Sequence, residues 1–120
     1  MPKPESTEHG VVYDLTAIEH ELRQEDAYLR GGHTGRTLVR ESDLRVVLIA
    51  VQGGARIAEH DTDSSVSIHA LSGHIRLHLP NRDVDLSAGR LLALGPGIEH
   101  DVEAMVDSAF LLTLSWHGES

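Results

Sequence analysis

The sequence predicts an all-β fold, an antiparallel sandwich or barrel of short strands preceded by one short helix. Three observations lead there. From Arg36 onward apolar residues recur with a period of two, in nine short segments. Turns rich in Gly, Pro, Asn and Ser separate those segments. No stretch between the later segments has helical periodicity, which argues against a parallel α/β sheet.

The elements follow in order. Residues 1–9 hold two prolines among polar residues and are expected to be a frayed tail. In DLTAIEHELRQEDAYLR, Thr16 and Glu19 have the spacing of a capping box, and Ile18 and Leu22 share one helical face. This predicts a helix over Ala17–Ala27, stopped by Gly31 and Gly32. Strands are predicted at Arg36–Arg40, Leu44–Val51, Arg56–His60, Val66–Leu71, His74–Leu79, Asp83–Leu86, Arg90–Leu94, His100–Ala104 and Ala109–Trp116. LRVVLIAV is almost wholly apolar, so both of its faces should be covered, one by the barrel interior and one by the helix or a second subunit. HIRLHL alternates, which sends Ile75, Leu77 and Leu79 inward and His74, Arg76 and His78 outward. His69 is expected on the outside, across from Arg76. The last segment alternates Phe110, Leu112, Leu114 and Trp116 and is expected to close the barrel. The organisation is one domain: tail and helix over 1–35, β-barrel over 36–117.

Composition excludes several function classes. The chain has 120 residues, 24% charged, with a formal charge of −9. Nucleic-acid binding needs clustered Lys and Arg, and none are clustered here. The absence of cysteine removes disulfides and thiolate metal sites. MPKPESTEHG carries no apolar segment of the signal-peptide kind, and no apolar run approaches the roughly 20 residues of a membrane helix. A cytoplasmic protein without membrane contact is the expectation. No GxSxG, P-loop, GxGxxG or HExxH pattern occurs.

Two glycine-anchored segments remain. In the first, Gly54 is followed after five residues by His60, and six residues separate position 66 from Gly73. In the second, Gly89, Gly97 and His100 keep a fixed spacing with Pro96 in the turn. Gly73, Gly89 and Gly97 stand where tight turns call for positive φ. Together these segments resemble the two motifs of the cupin superfamily, in its small single-domain, RmlC-like form. The resemblance implies an antiparallel jelly-roll β-barrel, often with a metal ion inside. It is incomplete at the ligand positions: Thr62 stands at the second histidine position, Val66 (Ser67 under the longer spacing) at that of the glutamate, and Ala104 at that of the asparagine. In the second motif the proline comes one place late.

In a regular strand His60 and Thr62 share a face, while Glu59 and Asp61 point away. His100 on the facing strand is expected to approach His60, as in the family. Two imidazoles are a poor site for a divalent ion, because catalytic zinc or iron normally takes three protein ligands. A third would have to be Asp63, Glu99, or Glu59 after a local bulge. The expected site is therefore a pocket for a small organic ligand, lined by His60, Thr62, Val66, Ile68, His100 and Val102, with Ala70 and Trp116 beside them, and with no cofactor required. The alternative is a metal-dependent dioxygenase or isomerase that holds Zn, Fe, Mn, Ni or Cu through His60 and His100. A third class is a ligand-sensing module like that of arabinose-type regulators, and a fourth leaves both histidines bonded to backbone in a packed barrel. A homodimer, formed by packing barrel sheets or exchanging N-terminal strands, would cover exposed apolar surface on Leu44–Val51. A surface metal site from His69, His74 and His78 competes poorly with a solvated sheet face.

Overall fold

The apolar run at Leu44–Val51 forms the strand on which the other layers are assembled. The computed structural model describes the backbone of residues 5–7, 10–60 and 63–115, with side chains for 10–58 and 63–115. In chain order the strands are β1 (Glu5–Thr7), β2 (Gly10–Val12), β3 (His33–Arg40), β4 (Leu44–Val51), β5 (Arg56–His60), β6 (Val66–Ser72), β7 (His74–His78), β8 (Asp83–Ser87), β9 (Leu91–Leu94), β10 (His100–Ala104) and β11 (Ser108–Ser115). All nine strands expected after position 36 are present, and β4, β5 and β10 have the expected limits. Two helices, α1 (Leu15–Leu22) and α2 (Asp26–Gly31), precede β3.

Every pairing is antiparallel. One sheet runs β3-β4-β11-β6-β9 and the other β5-β10-β7-β8. Their inner faces enclose a core of Val51, Val66, Ile68, Ala70 and Phe110 from the first sheet and Ile75, Leu77, Leu86, Val102 and Ala104 from the second. The alternation of β4 explains its composition. Ile49 and Val51 face that core, while Leu48 and Ala50, both fully buried, face a second cluster with Ile18, Leu22 and Tyr28 of the helices. The helical layer therefore covers the outer face of β4. β7 behaves as its alternation requires, with Ile75 and Leu77 fully buried and His74, Arg76 and His78 half-buried on the outside.

Several expectations are corrected. Instead of one helix over 17–27 there are two, broken at Arg23–Glu25. In a single α-helix of about 100° per residue, Leu22 and Tyr28 would lie about 120° apart and could not both reach Leu48 and Ala50. The extended conformation of Glu25 (φ −77, ψ 147) resets the direction. Its carboxylate is held there by Thr34 Oγ1 at 2.9 Å and by Arg36 Nη2 at 3.1 Å. The cap of α1 is Asp14, whose Oδ1 accepts from the Ala17 N–H at 3.1 Å, so Thr16 and Glu19 make no capping box. Glu19 instead pairs with Arg23 at 2.9 Å and accepts from Ser72 Oγ. Part of the expected frayed tail is ordered, since Glu5–Thr7 pairs with Gly10–Val12. β11 does not close an edge; it is the middle strand of its sheet, between β4 and β6. His69 is not across from Arg76. It belongs to the other sheet, paired with Leu91 and Leu111, and so cannot join His74 and His78 in a surface metal site.

The two ends of the barrel differ. At one end Gly73 (φ 79) packs against Asp107 and Ser108, and the Ser108 hydroxyl accepts from the His74 N–H at 2.9 Å. Asp107 Oδ1 accepts from the Gly53 N–H at 2.8 Å, completing a seal. The other end gathers the start of β4, β6 and β10 with the end of β5, β9 and β11, and it is the open mouth.

Candidate functional site at the barrel mouth

His100 opens β10 at this mouth. Together with Val102 and Ala104 it occupies the inner face of the strand, and it is 4% exposed. Its Nδ1 lies 3.1 Å from the carbonyl oxygen of Ile98. A carbonyl can only accept, so the contact requires Nδ1 to carry the proton, which makes Nε2 of the neutral ring an acceptor. The loop that sets this geometry turns through Gly97 at φ 79, directly before Ile98.

His60 ends β5, and the backbone register pairs it directly with His100. The pairing depends on a bulge. Ile57 is opposite Val102 and His60 opposite His100, so three steps along β5 answer two along β10. The backbone register thus sets position 60 directly opposite His100. The irregularity lies between Ile57 and His60 on β5, the stretch of strand that includes the backbone of Glu59.

The remaining expected site residues are distributed as follows. Val66, Ile68 and Val102 are buried in the core between the sheets, and only Val66 also reaches the mouth. Thr62 and Trp116 lie outside the described residues. Asp63 and Glu99 are exposed, and the backbone of Glu59 is in β5. Among the described residues no three His, Asp or Glu side chains gather to hold a metal ion. At the position where the family pattern has glutamate, Val66 presents hydrocarbon packed on the core. The residues described do not make the three-ligand set that a catalytic zinc or iron takes.

Two grooves open at the mouth. One, of about 510 Å³, is lined among others by Leu44, Ser65, Val66, Leu94, Thr113 and Ser115. The other, of about 370 Å³, lies between the β7–β8 turn and the β9–β10 loop, lined by Leu79, Pro80, Arg82, Leu94 and Ile98 among others. They share the wall Ala93–Leu94–Gly95. Sequence reasoning missed Leu79, Arg82, Leu94 and Ile98. Alternation places Leu79 and Leu94 inward, but only the folded topology brings the β7–β8 turn beside the loop that carries Ile98.

On the outer face of the smaller sheet the charges are matched across strands. Arg76 contacts Asp85 at 2.7 Å and Arg56 contacts Asp101 at 2.9 Å. His78 sits between Asp83, 2.9 Å from Nδ1, and Glu103, 2.8 Å from Nε2. Both partners are acceptors, and the bond to Glu103, then that to Asp83, holds the His78 pKa above its ordinary value.

No family model matches the sequence, and no curated protein matches it. Solved structures do. A conserved protein of unknown function from Streptococcus pyogenes is 24% identical, with 100% of this chain and 98% of that one covered and a TM-score of 0.74. An RmlC-like cupin family protein with a double-stranded β-helix fold from Methanocaldococcus jannaschii is 15% identical, with coverage of 71% and 81% and a TM-score of 0.66. Salicylate 1,2-dioxygenase from Pseudoaminobacter salicylatoxidans, in its adduct with gentisate, is 12% identical, with 86% of this chain and 32% of that one covered and a TM-score of 0.76. No helix among the described residues is long and apolar enough to cross a membrane. Two facing antiparallel sheets of this topology, together with these likenesses, establish that the chain has the cupin fold, the jelly-roll double-stranded β-helix that its two glycine–histidine motifs implied.

Proposed function

We propose that this protein binds a small organic molecule at the barrel mouth, with His60 and His100 as its polar contacts and without a complete metal site. The observation that carries the reading is the register partnership of His60 with a buried His100 whose Nδ1 is tied to the Ile98 carbonyl. That tie places the proton of the neutral ring on Nδ1 and makes Nε2 its acceptor nitrogen, and Val66 is the core residue that also reaches the mouth. Elemental analysis of untagged protein, before and after chelator, together with native mass spectrometry, tests it. The expected result is substoichiometric metal and a bound organic mass that is lost in His60→Ala and His100→Ala. Stoichiometric Zn, Fe, Mn, Ni or Cu that disappears in both variants would overturn it.

One observation favours a second reading, that of a metal-dependent dioxygenase or isomerase. The fold likeness to salicylate 1,2-dioxygenase spans 86% of this chain, and a metal-binding histidine characteristically donates its other ring N–H to a carbonyl, as His100 can. The elemental analysis decides between the two. A homodimer is part of the proposal, supported by the exposure of Val11 and Val12 on the β1–β2 hairpin, and light scattering tests it.

A further inference from the structure

We infer that the ligand is a small organic acid: its carboxylate is bound by Arg82, and its apolar body lies in the groove against Leu79, Leu94 and Ile98. The inference rests on the ligand-binding reading above and adds the chemical class.

Its basis is charge accounting in an acid-rich chain. The protein carries 19 Asp and Glu against 10 Lys and Arg. Arg23, Arg36, Arg56 and Arg76 each contact a carboxylate at 2.7–3.1 Å. Among the described residues Arg82 makes no such contact, and neither do Arg30, Arg40 and Arg90. Of these four, Arg82 alone lines either mouth groove. The carboxylate nearest to it in sequence, Asp83, is engaged by His78 at 2.9 Å. Arg82 thus lines a groove of about 370 Å³ while holding no carboxylate among the described residues. A planar fork of donors matches a carboxylate in bidentate geometry.

The rest of the groove suits a monoanion with a hydrocarbon body. Leu79 and Leu94 continue the core surface outward, and Ile98 is a 36% exposed aliphatic residue at the rim. Asn81 adds a neutral amide. The Ile98 carbonyl that fixes the His100 tautomer belongs to the same wall, so a molecule anchored on Arg82 extends along the loop that positions His100. A phosphate monoester would present the same oxygen chemistry to Arg82. One arginine in a chain of net charge −9 favours the singly charged acid over a dianion.

The test is thermal-shift and calorimetric titration with benzoate, hexanoate and cyclohexanecarboxylate, their neutral amides, and phenyl phosphate. The proteins are the wild type, Arg82→Gln, Arg82→Lys and, as a surface control, Arg90→Gln. At least one acid should bind in the millimolar range or tighter, its amide about tenfold more weakly. Arg82→Gln should lose about tenfold in acid affinity, Arg82→Lys less, and Arg90→Gln nothing. Acid binding that Arg82→Gln leaves unchanged overturns the assignment of Arg82. Amides binding as well as acids, with binding lost in a further variant, His100→Ala, overturn the acid class while the ligand-binding reading stands. Phenyl phosphate binding more tightly than every acid makes the ligand a phosphate ester and overturns the carboxylate. No binding by any acid tighter than about 10 mM overturns the inference outright.

Discussion

Replacing Gly73 with alanine should destabilise the fold far more than the same change at Gly89. Both glycines have positive φ, 79 and 93, so each pays the backbone cost of placing an L-residue in the left-handed region, about 1–2 kcal/mol. Their surroundings differ. A Cβ at Gly89 meets nothing within 4 Å, whereas one at Gly73 collides with the Ser108 side chain and the Asp107 carbonyl. Neither obstacle yields easily. Ser108 is fully buried; its hydroxyl accepts from the His74 N–H at 2.9 Å and lies 2.7 Å from the Val106 carbonyl. Displacing it sacrifices about 1 kcal/mol per bond, bringing the Gly73→Ala total to at least about 3 kcal/mol. With a urea slope of about 1.5 kcal/mol per molar, the unfolding midpoint should fall by about 2 M for Gly73→Ala and by about 1 M for Gly89→Ala. Equilibrium urea unfolding followed by circular dichroism measures both. Equal shifts would refute the reasoning, because the backbone term would then be the whole effect and the seal at that end of the barrel would contribute nothing.

Other consequences follow from the same contacts. Asp14→Ala should cost about 1 kcal/mol in urea unfolding and Thr16→Ala nearly nothing; the reverse order would restore the capping box at Thr16. The His78 pKa is raised by Glu103 and Asp83 with Arg56 opposing, so its contribution to stability is present below the unfolded histidine pKa and lost as pH rises through the higher folded one. Unfolding midpoints compared at pH 6 and pH 8.5 should therefore fall more in the wild type than in His78→Gln, and parallel behaviour would remove His78 as the cause. Val66→Glu restores a carboxylate at the position where the family pattern has one: its melting temperature should fall without metal and recover with Zn²⁺, unless His100→Ala is also present. A variant that no divalent ion stabilises would mean that positions 60, 66 and 100 do not converge.

The strands were legible because each buries one face, and burial imposes alternation on the sequence. Leu44–Val51 was legible as a doubly covered strand for the complementary reason, since Leu48 and Ala50 meet the helices while Ile49 and Val51 meet the core. Where side-chain patterning is not under that pressure, the reading failed. Glu5–Thr7 pairs with Gly10–Val12, three polar residues against an exposed partner, and polar residues carry no alternation to read. The break between the helices has no local sequence signal, because Glu25 acts through Thr34 and Arg36, partners that only the fold brings near. Alternation predicts a face for His69 but not which sheet its strand joins, and its neighbours are Leu91 and Leu111, not Arg76.

The candidate site was legible by a different route, and the bulge in β5 explains why. Ile57 and His60 are an odd number of residues apart, so strict alternation puts them on opposite faces, and a period-two reading alone would have sent one of them out to solvent. Ile57 packs against the core, so on that logic position 60 is an outward residue. The spacing from Gly54 to His60 pointed the other way because it belongs to a motif that already contains the extra residue. The bulge lets Ile57 stay opposite Val102 while His60 comes opposite His100. A ladder interrupted just where β5 ends changes the partner of a single position without shifting the register of the strand behind it. Physical periodicity therefore locates the barrel, whereas the backbone pairing of positions 60 and 100 falls where the periodicity of β5 is broken, so the glycine–histidine spacing carries it and alternation does not.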